Sequence, residues 1–154
     1  MAGEIEARLE GLGIVLPAAA APAANYVPFV LAGSLLFVSG QLPMGPQGLA
    51  HKGKLGADAS LEDGQAAARL CAVNILAQAK KALGDLDRIV RCVRLGGWVN
   101  CTPDFTEHPK VVNGASDLMV EALGEKGRHA RFAVGAPSLP FGATVEIEAI
   151  FEAA

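Results

Sequence analysis

Concentrations of positive charge are missing from this sequence. Its 13 Lys and Arg residues are scattered among 16 Asp and Glu, giving a formal charge of −3. A nucleic-acid partner is read through clustered cations that displace counterions from phosphates. The tightest basic group, Arg88, Arg91 and Arg94, would split across the two faces of a strand, so no nucleic-acid role is expected. Aromatics are sparse, with one Trp and one Tyr. The three cysteines, Cys71, Cys92 and Cys101, are odd in number and form no CxxC pair. They read as reduced, mostly buried thiols. His51, His108 and His129 lie far apart, without metal-ligand spacing, so no metal site is expected. No apolar run approaches the roughly 18 residues a membrane span needs. The acidic start, MAGEIEARLEGLG, has neither the basic nor the apolar region of a signal peptide. The expectation is a cytoplasmic chain with no membrane partner.

What is present is globular in character. Half the residues are apolar, and 154 residues make one domain. A short amphipathic helix is predicted over 3–12, with Ile5, Leu9 and Leu12 on one side, followed by an extended Pro/Ala arm to about residue 24. The main domain is assigned to 25–154. Residues 26–38 read as a β-hairpin ending at Ser39-Gly40-Gln41, and 45–48 as a turn. Ser60 with Asp63 forms a capping box for a helix that Gly84 stops, with Ala66, Leu70, Val73 and Ala77 as an apolar stripe. Residues 88–99 are strand-like. A second helix starts near Pro109, carries Val112, Ala115, Met119 and Ala122, and ends at Gly124. Strands at 129–135 and 143–152 close the chain. The order β-β-α-β-α-β-β predicts an α+β fold, a mixed sheet with two helices on one face. The uncovered face and the sheet edges favour a homo-oligomer.

The chemistry concentrates at the C-terminal end. Alternation over 129–134 puts Ala130, Phe132 and Val134 on the face expected to meet the helices, and His129, Arg131 and Ala133 on the other. Thr144, Glu146, Glu148 and Ile150 share one face of the next strand. If the two strands pair as a hairpin, Arg131 and a glutamate stand side by side. That pair is either a cross-strand salt bridge without function or a binding site, since Arg is shaped to grip a carboxylate bidentately and a nearby Glu can position water.

Several motifs add to this reading. The segment Ala130-Arg131-Phe132-Ala133-Val134, then Leu139-Pro140, then residues 145–150 (VEIEAI), resembles the C-terminal signature of the Rid family. These are reactive intermediate imine deaminases, also known as the YjgF or L-PSP endoribonuclease-like family. Leu36-Phe37-Val38-Ser39-Gly40-Gln41 resembles a second family motif, and Tyr26 and Asn113 fall where the family has pocket residues. The similarity covers about 25–152, and residues 1–24 resemble the longer N-terminal arm of one subgroup. It implies a chorismate-mutase-like fold and a homotrimer with pockets between subunits. The implied activity is cofactor-independent hydrolysis of enamines and imines such as 2-aminoacrylate to 2-keto acids and ammonia. In that reading Arg131 binds the carboxylate of a small metabolite, Glu146 positions water or relays a proton, and Tyr26, Ser39, Gly40 and Asn113 shape the pocket. Many relatives carry a cysteine where this chain has Ala133, which removes a thiol from that position. The loop 100–108 reads as longer than usual, and Asn113 is followed by Gly114. Ala133 and the loop keep open a non-catalytic carboxylate-binding or interaction trimer. Ribonuclease activity fits an acidic chain poorly.

Overall fold

Ser60 opens the longest helix. In the computed structural model, which describes residues 3–22 and 24–154, the Ser60 hydroxyl accepts from the backbone N–H of Asp63 at 3.0 Å. The Asp63 carboxylate accepts in turn from the N–H of Ser60 at 3.1 Å. The reciprocal bonds satisfy two donors that the first helical turn leaves without partners. The helix ends at Gly84, whose φ of 80° is open to a residue without Cβ.

The elements in chain order are α1 (Glu4–Gly11), β1 (Phe29–Ala32), β2 (Leu35–Gln41), β3 (Met44–Gly45), β4 (Gly48–Leu49), α2 (Leu61–Leu83), β5 (Ile89–Asn100), α3 (His108–Leu123), β6 (Ala130–Ala136) and β7 (Val145–Ala153). The main sheet has the order β1-β2-β7-β5-β6, with β5 and β6 parallel and the other pairs antiparallel. A small β3-β4 ribbon stands apart. This is the mixed α+β arrangement the element order predicts, with α2 and α3 covering one sheet face. Met1, Ala2 and Ala23, part of the expected arm, lie outside the described residues.

The core lies between that face and the helices. Leu36, Val38, Leu95, Val99, Val145, Ile147 and Phe151 meet Ala68, Ile75, Leu76, Val112, Leu118 and Met119 there. The α1 residues Ile5 and Leu9 join the same core. The Asp87 carboxylate accepts from the Glu4 and Ile5 N–H groups at 2.8 and 2.9 Å, capping α1 from a distance. Ile14 and Leu16 of the arm also pack on the core, and the Gln78 amide donates to the Ala20 carbonyl at 2.8 Å. Among the described residues no helix is long and apolar enough to cross a membrane.

Three expectations are corrected. The buried side of α2 is Ala67, Ala68, Cys71, Ala72, Ile75, Leu76, Ala77 and Ala79, so of the expected stripe Ala77 is buried, whereas Ala66 is exposed and Leu70 and Val73 are only partly covered. Leu70, Val73 and Ala77 border a cleft that Pro17, Ala18, Ala19 and Ala20 of the arm also line. Arg88 sits in a short 3₁₀ turn ahead of β5. Register shifts on either side of Cys92 then bring both Arg91 and Arg94 opposite residues of β7, Glu152 and Ile150, that face away from the helices.

β6 does not form a hairpin with β7; it pairs in parallel with β5, which lies between them. The β5-α3-β6 crossover puts β6 on the outer side of β5, and the chain must then cross β5 to insert β7. The register Leu95↔Arg131 and Gly97↔Ala133 sets Arg131 and Ala133 on the helix-covered face. Phe132 is on the open face. Gly96 lets it approach, since a Cβ there would lie 2.6 Å from the Phe132 ring. The ring meets Trp98 edge-on at 4.9 Å, with the Arg94 guanidinium 5.6 Å from its centroid. On that open face Val30, Phe37 and Val134 remain exposed beside the Arg94–Glu148 ion pair.

Candidate functional site

Arg131 is held by α3. Its guanidinium donates to the Ser116 hydroxyl at 3.0 Å and to the Pro109 carbonyl at 3.2 Å. Asn113 is exposed and lies on the same helix stripe, four residues after Pro109 and three before Ser116. Behind Ser116 stands His129, with Nε2 at 2.8 Å from the hydroxyl and Nδ1 at 2.5 Å from the Gly127 carbonyl. The carbonyl can only accept, so Nδ1 carries a proton. Burial pushes the imidazole below the usual histidine range; the Gly127 contact opposes this and the Arg131 cation adds to it. A neutral ring then accepts at Nε2 from Ser116, whose oxygen accepts from Arg131. His129 thus orients Ser116, which orients the guanidinium. Both partners of Arg131 are neutral, and among the described residues it joins no ion pair.

Glu146 belongs to a second cluster, on the opposite face of the sheet. It lies against Gly40 in β2. A Cβ at Gly40 would fall 2.1 Å from Glu146 Oε2, so only glycine admits the carboxylate there. Gly40, Tyr26, Pro28, Gln41, Gln78 and Phe141 line a cleft of about 130 Å³. The Ser39 hydroxyl is committed to the Val27 carbonyl at 2.8 Å, so it serves the hairpin as a donor. Desolvation raises the Glu146 carboxyl above the usual range, and the neighbouring Glu148 charge raises it further.

A raised carboxyl makes ionisation oppose folding. Its contribution is fully favourable below the unfolded-chain value of about 4.3 and is lost as pH rises through the folded one. Glu146→Gln is therefore expected to raise Tm at pH 7, with the gain vanishing near pH 4. Thermal unfolding across this window checks it, and a pH-independent shift would contradict it.

Phe141, on the rim of the same cleft, is 73% exposed with φ 59° and ψ 15°. A left-handed backbone costs a non-glycine residue about 1–2 kcal/mol. Phe141→Gly is expected to be about 1 kcal/mol more stable than Phe141→Ala in urea unfolding. Equal stabilities would remove the strain argument.

Within this chain, then, the sequence-derived site is split. Arg131 and Asn113 stand at the β6 edge under α3, while Tyr26, Gly40 and Glu146, with Ser39 beside them, stand on the β2-β7 side. Ser116 and Phe141 were not singled out by sequence. The stripe at 109, 113 and 116 was a usable signal for Ser116; nothing in the sequence pointed to the Phe141 backbone. Among the described residues no three His, Cys, Asp or Glu side chains cluster as metal ligands.

Known proteins share this architecture. Residues 6–152 match the family model described as "YjgF/chorismate mutase-like, putative endoribonuclease". A Trypanosoma cruzi relative, Protein TCP17, is 54% identical over 97% of this chain and 94% of its own. An Agrobacterium tumefaciens protein described as of unknown function superposes with a TM-score of 0.92 at 55% identity, covering 97% of this chain and 92% of that one. RidA from an Antarctic Psychrobacter gives a TM-score of 0.62 at 27% identity over 88% of this chain and 94% of its own. The family match begins inside α1, so the arm is included in it. The chain belongs to the YjgF/Rid family and has its chorismate-mutase-like fold.

Proposed function

We propose that this protein hydrolyses small enamines and imines bearing a carboxylate, releasing a 2-keto acid and ammonia, and that it does so as a homotrimer. The observation that carries the proposal is the state of Arg131. It is a guanidinium oriented by neutral groups, with no carboxylate among the described residues paired to it. Such a cation is preorganised for an anionic ligand.

Glu146 lacks an ionic partner among the described residues as well. In the proposed assembly a neighbouring copy brings its Glu146, Gly40 and Tyr26 against Arg131 and Asn113. The apolar residues left on the open sheet face supply the adhesive surface for that contact. Arg131 fixes the carboxylate and so aims the imine carbon. Glu146, in its ionised form, accepts a proton from water as the oxygen bonds to the imine carbon and returns it to the nitrogen; the remaining hydroxyl proton follows as the C–N bond breaks, leaving the keto acid and ammonia. The imine carbon is already electrophilic, and orientation supplies much of the acceleration.

The test is complementation. Arg131→Ala and Glu146→Gln, each strongly impaired toward freshly generated imino acids at substrate well below KM, are co-expressed. If each pocket takes Arg131 from one subunit and Glu146 from the next, a random mixture restores about a quarter of the wild-type pockets. Ammonia release at that level supports the reading, and no recovery in a mixed trimer contradicts the shared pocket. A second reading, carboxylate binding without turnover, is favoured by Ala133, which packs on the core and offers no nucleophile. Arg131-dependent binding with no turnover by wild type would select it.

A further inference from the structure

The loop between β5 and α3 builds a second chemical site that owes nothing to Glu146 or to the complementation above. Its cavity, about 500 Å³, is lined by Lys54, Cys101, Phe105, His108, Gly135 and Pro137 among others. That volume suits a small organic molecule. Cys101 Sγ lies 3.5 Å from His108 Nε2. The imidazole is braced edge-on by Phe105, with ring centroids 5.4 Å apart. Gly135 makes room for the pair, since a Cβ there would lie 2.8 Å from the sulfur and 2.7 Å from Nε2. Cys101 is 8% exposed, whereas Cys71 and Cys92 are wholly buried.

The charges around the pair are equally specific. The Lys54 ammonium donates to Asn100 Oδ1 at 2.9 Å and to the Pro137 carbonyl. Both acceptors are neutral, and no ion pair among the described residues includes Lys54. The loop's carboxylates are engaged elsewhere: Asp104 accepts from the Thr102 hydroxyl at 2.7 Å and Glu107 from Lys110 at 2.7 Å. Neither lines the cavity. The cavity therefore combines a thiol, an adjacent base, an uncompensated cation and an apolar wall of Phe105, Pro103 and Pro137.

We propose that Cys101 and His108 form a nucleophilic dyad that captures small anionic electrophiles whose carbon–carbon double bond is conjugated to a carbonyl. The thiol proton passes to His108 Nε2. The sulfur lone pair forms a bond to the β-carbon, and the π electrons shift toward the carbonyl. The α-carbon then takes the proton back from the imidazolium. Net, S–H adds across C=C, with no oxidant or cofactor. Lys54 holds the anionic end of the molecule.

The test uses monomethyl fumarate as the anionic probe and dimethyl fumarate as the neutral one, with rates normalised to glutathione and adducts located by mass spectrometry. Adducts are expected at Cys101 and not at Cys71 or Cys92. His108→Gln is expected to slow the addition about tenfold or more at pH 7 and to shift the rate–pH profile toward that of an ordinary thiol. Lys54→Met should abolish the preference for the anionic probe while leaving the neutral one unaffected. Arg131→Ala should retain wild-type adduct formation, which separates this site from the proposed deaminase pocket. Circular dichroism controls for folding, and the wild-type pH profile stands without any variant. A Cys101 that reacts no faster than glutathione, or a profile unchanged by His108→Gln, overturns the proposal.

Discussion

Arg131→Ala is expected to cut kcat/KM for imino-acid hydrolysis by roughly 10²–10⁴-fold. Two charge-assisted hydrogen bonds to a carboxylate contribute about 1.5–3 kcal/mol each, and about 1.4 kcal/mol is a factor of ten. The loss should appear largely in KM, because the carboxylate is held equally in ground and transition states and is not the reacting group. Arg131→Lys keeps the charge but loses the planar fork and the simultaneous bonds to Ser116 and Pro109; it should fall between the two. Ser116→Ala leaves the guanidinium in place with one support removed. Its defect should be smaller than that of Arg131→Ala and confined to kcat/KM. Steady-state assays with ammonia detection decide the order. Wild-type turnover in Arg131→Ala would show that the cation binds nothing the reaction needs.

How much of this was legible in the sequence depends on the range of the interaction. The α2 cap needs only Ser60 and Asp63, which are three residues apart, and it is present as read. The α3 stripe Val112, Ala115, Met119 and Ala122 is likewise local and buried. Strand alternation correctly separated Arg131 from Phe132, but period-two reasoning does not say which side receives the helices. The usual guide, large apolar residue inward, fails at β6. It is an edge strand whose helix side has room for Ala133 and a guanidinium, while Gly96 and Trp98 give Phe132 cover on the other face. The partner of β6 was equally out of reach, because the crossover through α3 determines it. Residue types at the site were thus readable and their placement was not: Arg131 and Glu146 were expected side by side and stand on opposite faces. Gly40 was read as the end of a strand and as a pocket residue, and its neighbour proves to be the Glu146 carboxylate.

Gly114 is the other position where a glycine's meaning emerges only in three dimensions. It follows Asn113, which suggests a pocket feature, yet its neighbour is the backbone of α2. A Cβ at Gly114 would lie 2.1 Å from the Gln65 carbonyl oxygen and 2.9 Å from its carbon. Two effects oppose each other in Gly114→Ala. Helix propensity favours alanine by about 1 kcal/mol. Against it, a carbon needs over 3 Å from such an oxygen, so α3 must shift by about an ångström. Val111, Val112, Ala115, Leu118 and Met119 would move with it, all fully buried. Overpacking that backbone cannot relax costs about 1–3 kcal/mol, and the voids opened behind the displaced side chains add to this. Sterics should win, for a net loss of about 2 kcal/mol, read as a lower urea midpoint at unchanged m-value. Because α3 also carries Ser116 and the Pro109 carbonyl, the same shift should weaken Arg131-dependent binding in the fraction that remains folded. A Gly114→Ala protein as stable as wild type would mean that α2 and α3 do not approach this closely.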